Sequence, residues 1–306
     1  MPRVIHDIAA ASAFLFGCQL NASRSLRLFC FGLGYSARAL AAQLSRQGWR
    51  IAGTCRGDEA ELESLGYEIH GFDGSAPLDN PRAALTGTTH ILSSVPPSPA
   101  GDPVLSLHAA DIEAIESLEW VGYLSTTGVY GDRGGGEVDE DSELRPTGDR
   151  GRRRVAAETG WRGLETDAAV QLFRLAGIYG PGRSALDTVR RGQARRIVKP
   201  DQVFSRIHVD DIANVLRASI AMPNAGAAYN VCDDEAAAPQ DVIAYACGLL
   251  GVVPPPEIAF EDAELSDMAK SFYRDNKRVS NGRIKKDLGV ALKWHNYRDA
   301  LQEMAR

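Results

Sequence analysis

Short apolar runs and amphipathic stretches take turns along most of the chain. Leu26, Leu28, Phe29, Cys30 and Phe31 make a nearly continuous apolar run with one charge, Arg27, inside it. That is the pattern of a strand buried on both faces of a parallel sheet. Comparable runs predict strands over Trp49–Cys55, Tyr67–Phe72, His90–Ser94, Trp120–Ser125 and Ala169–Leu175. Helical patterns separate them: Tyr35–Arg46, with Leu40, Leu44 and several alanines on one face, then Asp58–Leu65, Pro103–Ser117 and Asp149–Leu164. Such regular alternation predicts an α/β fold, a doubly wound parallel sheet with helices on both faces. The remainder is less regular. It reads as helix Ser184–Arg191, strand Val203–His208, helix Asp210–Ala221, strand Ala228–Cys232, then helices near Gln240–Leu250, Asp262–Phe272, Asn281–Leu288 and Tyr297–Met304.

The first apolar run ends in Gly32-Leu33-Gly34-Tyr35-Ser36-Ala37, which is G-x-G-x-x-A, and the first helical pattern follows at once. Gly32 permits the tight bend, Gly34 lets the backbone approach a pyrophosphate, and the small Ala37 lets helix and strand pack closely. The helix start at Tyr35 and Ser36 then offers free N–H groups and a positive dipole end to the anion. With a strand before it, a helix after it and a second strand one unit on, the turn predicts a dinucleotide site of Rossmann type. The alternative is an ordinary βα turn.

Arg56 closes the second strand, 22 positions after Gly34. NAD-binding proteins usually carry an acid there for the ribose 2′-OH. A guanidinium can instead hold a 2′-phosphate through two parallel charged bonds, so NADP is expected over NAD. Otherwise Arg56 is a solvated loop charge. Asp58-x-x-Glu61 reads as a capping box, and Asp73, ending the third strand, suits the adenine edge. The expected layout is a Rossmann domain over residues 25–183 and 203–232, with a smaller, mostly helical C-terminal substrate-covering domain from 184–202 and 233–306.

At 306 residues the chain can bury about three quarters of its unfolded surface, enough for one large or two fused domains. A net charge of −6 argues against nucleic acid or an anionic membrane as the main partner. Arg152-Arg153-Arg154 reads as one charged helix face. The five cysteines lack C-x-x-C spacing, which suits a reducing compartment and offers no zinc site. Residues 1–24 are small and apolar from Ile8 to Cys18, but His6 and Asp7 stand where a signal peptide needs basic residues. They read as an appended or mis-started extension, and a cytoplasmic protein is expected.

Five segments, GLGYSA (32–37), LSTTGVYGD (124–132), FRLAGIYGPGR (173–183), SRIHVDDIA (205–213) and YNVCDDE (229–235), occur in this order. Through them the chain, from Leu26 onward, resembles the extended short-chain dehydrogenase/reductases, the NAD(P)-dependent epimerase/dehydratases acting on nucleotide sugars. The resemblance implies cofactor binding by Gly32, Gly34 and the following helix start, and it aligns Thr126 with the family's catalytic Ser/Thr. That family also needs Tyr-x-x-x-Lys on the next helix, where the lysine lowers the pKa of a tyrosine general acid/base. Here the tyrosine place holds Arg150 and the lysine place Arg154. Arginine cannot release its proton, so Arg150 relays none.

Two other tyrosines offer substitutes. Tyr273-x-x-x-Lys277 spells the motif beyond the last sheet strand, where coincidence is the better reading, and Tyr130 follows the Thr126 loop. A nucleotide-sugar pattern R-x-[aromatic]-I-H-V is also altered: Phe204 takes the arginine's place and Arg206 the aromatic's. His208 reads as a packed, hydrogen-bonded histidine, with Asp210 or Asp211 capping the next helix. The leading expectation is an NADP-dependent oxidoreductase or epimerase-like enzyme acting on a small molecule, among atypical members of the superfamily. Thr126 and Thr127, with Tyr130 a further candidate, would act on substrate, and Arg150, Arg154, Arg206 and Arg278 would contact it. The alternative is a cofactor-binding sensor or scaffold without turnover. A homodimer is possible.

Overall fold

The computed structural model describes residues 25–57 and 59–306. The extension 1–24 and Asp58 of the expected capping box lie outside them. Seven strands form the central sheet: β1 (Arg27–Phe31), β2 (Arg50–Cys55), β3 (Glu68–Gly71), β4 (His90–Ser93), β5 (Trp120–Thr126), β6 (Ala169–Leu175) and β7 (Ala228–Val231). Their spatial order is β7-β6-β5-β4-β1-β2-β3, and every neighbouring pair is parallel. The chain reverses its direction of travel between β1 and β4, so the switch point, where ligands of such sheets bind, lies at the end of β1.

Helices cover both faces, as the alternating pattern requires. Leu40 and Leu44 of α1 (Tyr35–Ser45) join Ile212 and Leu216 of the helix Val209–Ala221 in one buried cluster. Val104 and Ile112 of α2 (Pro103–Glu113) join Ala157 and Trp161 of α3 (Asp149–Arg162) in another. A third cluster gathers Leu186, Val242, Ala246, Tyr297 and Leu301 from the later helices. The lone charge in β1 is accommodated rather than solvated. Arg27 is 1 % exposed; its Nη2 pairs with Glu68 on β3 at 2.8 Å, and its Nη1 donates to Thr86 O and Thr88 Oγ1.

Several elements differ from the pattern-based expectation. The strand expected over Val203–His208 is only Arg206–His208, and it pairs with Gly177–Tyr179, for which no strand was expected. Two further short pairs, Arg196–Val198 with Glu257–Ala259 and Glu137–Val138 with Arg278–Val279, are too brief to leave a periodic signature. The helix expected over Asp262–Phe272 starts at Asp267, where Ser266 Oγ caps it by accepting from Ala269 N–H. The helix after the strand Arg206–His208 is capped by His208, whose Nδ1 accepts from Asp210 N–H at 3.1 Å, and not by either aspartate. Asp211 is fully buried and instead accepts from the N–H groups of Lys293 and Trp294, pinning that distant segment.

Behind the end of β5 a buried ion pair links three elements. Arg174 on β6 meets Glu158 on α3 at 2.8 Å, with both side chains almost inaccessible to water. Glu158 also accepts from Ser125 Oγ at 2.6 Å, and Arg174 Nη1 donates to the Tyr130 hydroxyl at 2.9 Å. A half-removed buried pair leaves an uncompensated charge, so Glu158→Ala is expected to cost about 3–5 kcal/mol in urea unfolding. The double variant Glu158→Leu/Arg174→Met should lose much less, and equal losses in the two would show that the pairing is not the source.

Candidate functional site

The glycine turn is held from both neighbouring strands. Gly32, at φ +83°, donates its N–H to Thr54 Oγ1 at 2.8 Å, and Leu33 N–H donates to Thr54 O at 2.7 Å. From β4's end, Ser94 Oγ donates to Gly32 O at 2.6 Å. A Cβ on Gly32 would stand 2.7 Å from that hydroxyl, so only glycine fits. Gly34 is the N-cap of α1. It supplies no side-chain cap, and no acid occupies the first turn. By contrast the N-terminus of α2 is closed by its own Asp102 carboxylate, which accepts from Val104 and Leu105 N–H. The N-terminal turn of α1, at Tyr35, Ser36 and Ala37, is therefore open to an external anion. Ala37 is fully buried against the sheet, which is what the small third position allows.

Arg56, directly beyond β2, is exposed. Asp73 lies two residues beyond β3, and its Oδ1 accepts from Ser75 N–H at 2.8 Å and from Ser75 Oγ at 2.6 Å. Those bonds, with a smaller contribution from the Arg56 charge, hold its carboxyl below the usual range. The two expected cofactor residues are thus electrostatic neighbours at adjacent strand ends. Thr54 and Ser94, which brace the turn, and Arg38, whose Nε donates to Leu33 O at 2.9 Å, were not singled out from sequence. The available signal was positional: a threonine in the neighbouring strand, and an arginine one helical turn after Gly34.

Thr126 ends β5, and its Oγ1 accepts from Gly128 N–H at 3.2 Å, capping the short 3-10 helix Thr127–Tyr130. Both Thr126 and Thr127 are partly exposed. Tyr130 is fully buried and faces the interior, where its hydroxyl donates to Asn230 Oδ1 at 2.7 Å and accepts from Arg174. Burial pushes this phenol up to about 12, so it stays protonated at neutral pH. The two arginines in the family's Tyr and Lys places diverge. Arg154 Nη1 turns onto β5, donating to Leu124 O at 2.6 Å and Tyr123 OH at 3.0 Å. Arg150 is exposed and lies over the Phe272 ring, 5.6 Å from its centre.

The remaining candidates come from the later chain. Arg206 Nη1 donates to Phe204 O and Ala237 O, and Arg278 Nη1 donates to Gly135 O. Tyr273 is packed against Phe204 and Phe260, while Lys277 Nζ donates to Gly131 O at 2.9 Å, so the spelled Tyr-x-x-x-Lys separates into a core ring and a loop brace. One contact closes over the site from the opposite side. Tyr35 OH donates to Pro181 O at 3.0 Å, and the Arg183 guanidinium lies over the Tyr35 ring. Gly180 makes this possible, because a Cβ there would stand 2.5 Å from the Tyr35 hydroxyl. Glycine turn and Gly180 loop are therefore joined at the carboxyl edge of the sheet. Among the described residues no cluster of His, Cys, Asp or Glu is arranged to hold a metal, and no helix is long and apolar enough to cross a membrane.

No family model matches the chain. It is 27% identical over 264 residues to the protein YeeZ of Escherichia coli strain K12, covering 82% of this chain and 91% of that one. A solved structure of a conserved protein of unknown function from Silicibacter pomeroyi DSS is 50% identical, with a TM-score of 0.84 over 92% of this chain and 98% of that one. The dTDP-glucose 4,6-dehydratase of Bacillus anthracis strain Ames, solved in complex with NAD, is 14% identical with a TM-score of 0.72 over 92% and 96% of the two chains. Half identity over nearly the full length decides kinship, and the second likeness decides architecture: the chain belongs to one family with the Silicibacter pomeroyi protein, and its fold is that of the extended short-chain dehydrogenase/reductases, the NAD-dependent epimerase/dehydratases.

Proposed function

We propose that the protein is an NADP-dependent oxidoreductase or epimerase-like enzyme acting on a small molecule. The observation that carries this reading is the open N-terminus of α1 behind a glycine turn braced by Thr54 and Ser94. An uncapped helix start at the switch point of a parallel sheet suits a pyrophosphate. The B. anthracis neighbour, bound to NAD, supports a nicotinamide dinucleotide here. Bound at this turn, such a cofactor supplies or accepts a hydride.

The chain's own residues would do the rest. Arg56 would receive a 2′-phosphate, with Asp73 near the adenosine end. Thr126 Oγ1 already accepts from Gly128 N–H, which leaves its proton to donate to a substrate oxygen, with Thr127 beside it. Arg150 and Arg154 would contribute charge rather than protons. The residues over 184–202 and 233–306 would cover the substrate, and a cytoplasmic protein that pairs as a homodimer fits this reading. A second reading, a sensor or scaffold that holds NADP(H) without turnover, is favoured by Arg150, which stands where the family's proton-relaying tyrosine belongs.

Arg56→Ala is expected to weaken NADPH binding by roughly 10- to 100-fold, the scale of a charged bidentate contact, while NADH changes little. Fluorescence titration gives both dissociation constants, and an unchanged ratio would sink the NADP assignment. Deuteride transfer from labelled NADPH to a panel of carbonyl compounds tests turnover itself. There Thr126→Val should lower the rate by about 100-fold, the effect of removing one such donor, at unchanged NADPH affinity. Tight NADPH binding with no transfer to any compound would leave only the sensor.

A further inference from the structure

A pocket of about 210 Å³ lies between the Arg183–Ala185 segment and the helices Pro239–Leu249 and Tyr297–Ala305. Three guanidiniums line it, those of Arg183, Arg195 and Arg206, and no carboxylate belongs to the lining. The hydrogen-bond and ring partners of these cations are neutral. Arg206 Nη1 donates to the carbonyls of Phe204 and Ala237 at 2.8 and 3.0 Å, Arg195 Nη1 donates to Glu264 O at 2.7 Å, and Arg183 lies over the Tyr35 ring. Neighbouring Arg298, by contrast, is paired with Glu235.

Two acids outside the lining, Asp233 and Glu235, act on Arg206 from a distance, and burial pushes the Asp233 carboxyl up to about 8. Burial also holds Arg206 below the ordinary guanidinium range, the mark of a cation withdrawn from water. Three cationic side chains on one cavity whose lining holds no acid favour a counter-charge from outside. The facing wall is apolar, formed by Val242, Ile243 and Leu301.

We propose that this pocket holds the anionic head of a small substrate, a carboxylate or a phosphate monoester carrying a short apolar chain. Arg206 is its anchor, suited to a two-pronged contact with either anion, and Arg183 and Arg195 draw the anion in. The volume is below the range of roughly 300–1,000 Å³ usual for larger ligands, which suits a small molecule. Arg183, lying over the first residue of α1, places the pocket beside the glycine turn. That the ligand is a substrate rests on the oxidoreductase reading above, whereas the anion site itself does not.

Calorimetric titration of the full chain with hexanoate, butyl phosphate and neutral hexanamide, with and without NADPH, tests this. One of the two anions should bind at least about tenfold more tightly than hexanamide, and the preference should shrink as salt is raised. Whichever anion wins names the head group. Arg206→Gln should abolish the preference at unchanged NADPH affinity. The exposed Arg183→Gln should reduce it by about threefold and decides the matter should Arg206→Gln not fold. Equal binding of all three compounds, binding of none, or an intact preference in the folded variants overturns the pocket assignment. Anion binding by a protein that takes up no NADPH would keep the pocket and overturn the oxidoreductase reading instead.

Discussion

The architecture depends on three hydrogen bonds that fix one bend. Gly32 gives its N–H to the Thr54 hydroxyl and receives the Ser94 hydroxyl at its carbonyl, while Leu33 N–H reaches Thr54 O. These bonds come from β2 and β4, the two strands flanking β1, so the bend cannot move without the middle of the sheet. Its rigidity is what aims the N-terminus of α1. An uncapped helix start costs stability wherever it is merely left bare, and the same chain caps α2 with Asp102 and the helix Ala185–Arg190 with Ser184. The helices Asp149–Arg162 and Pro239–Leu249 also start without a side-chain cap but carry Asp149 and Asp241 in the first turn, whereas α1 has neither cap nor acid there.

A second constraint stands behind the Thr126 loop. Ser125, Glu158, Arg174, Tyr130 and Asn230 form one hydrogen-bonded chain with almost no access to water. Its members come from β5, the 3-10 helix after it, α3, β6 and β7, so the loop that presents Thr126 is set from underneath by polar contacts with narrow geometric tolerance. The same chain also engages Tyr130. Its hydroxyl is already committed to both a donor and an acceptor, and its burial keeps the proton on.

The sheet and its bend were legible because each left a long or rigid mark in the sequence. Continuous apolar runs announce strands buried on two faces, and the glycine spacing announces the turn. The short parallel pairs were not, since three residues such as Arg196–Val198 show no period. Helix caps were only half legible. His208 and Asp211 are both polar residues beside a helix start, and only the fold reveals that the imidazole caps while the carboxylate reaches residues 293 and 294.

Side-chain direction was the least legible of all, and the arginines show why. A guanidinium has five donors and a long, flexible stem, so its sequence position limits its target far less than it limits a threonine's. Arg150 and Arg154 sit one turn apart, yet one lies on the Phe272 ring of the helix Asp267–Tyr273 and the other returns to a strand carbonyl. Arg206 and Arg278 likewise find backbone oxygens. What separates Arg206 from the rest is not its hydrogen bonding but its surroundings: a cavity, two further cations, and no acid on the wall. Charge that the fold satisfies locally says little about ligands, whereas cations gathered on a cavity lining that holds no acid are what the proposed anion site rests on.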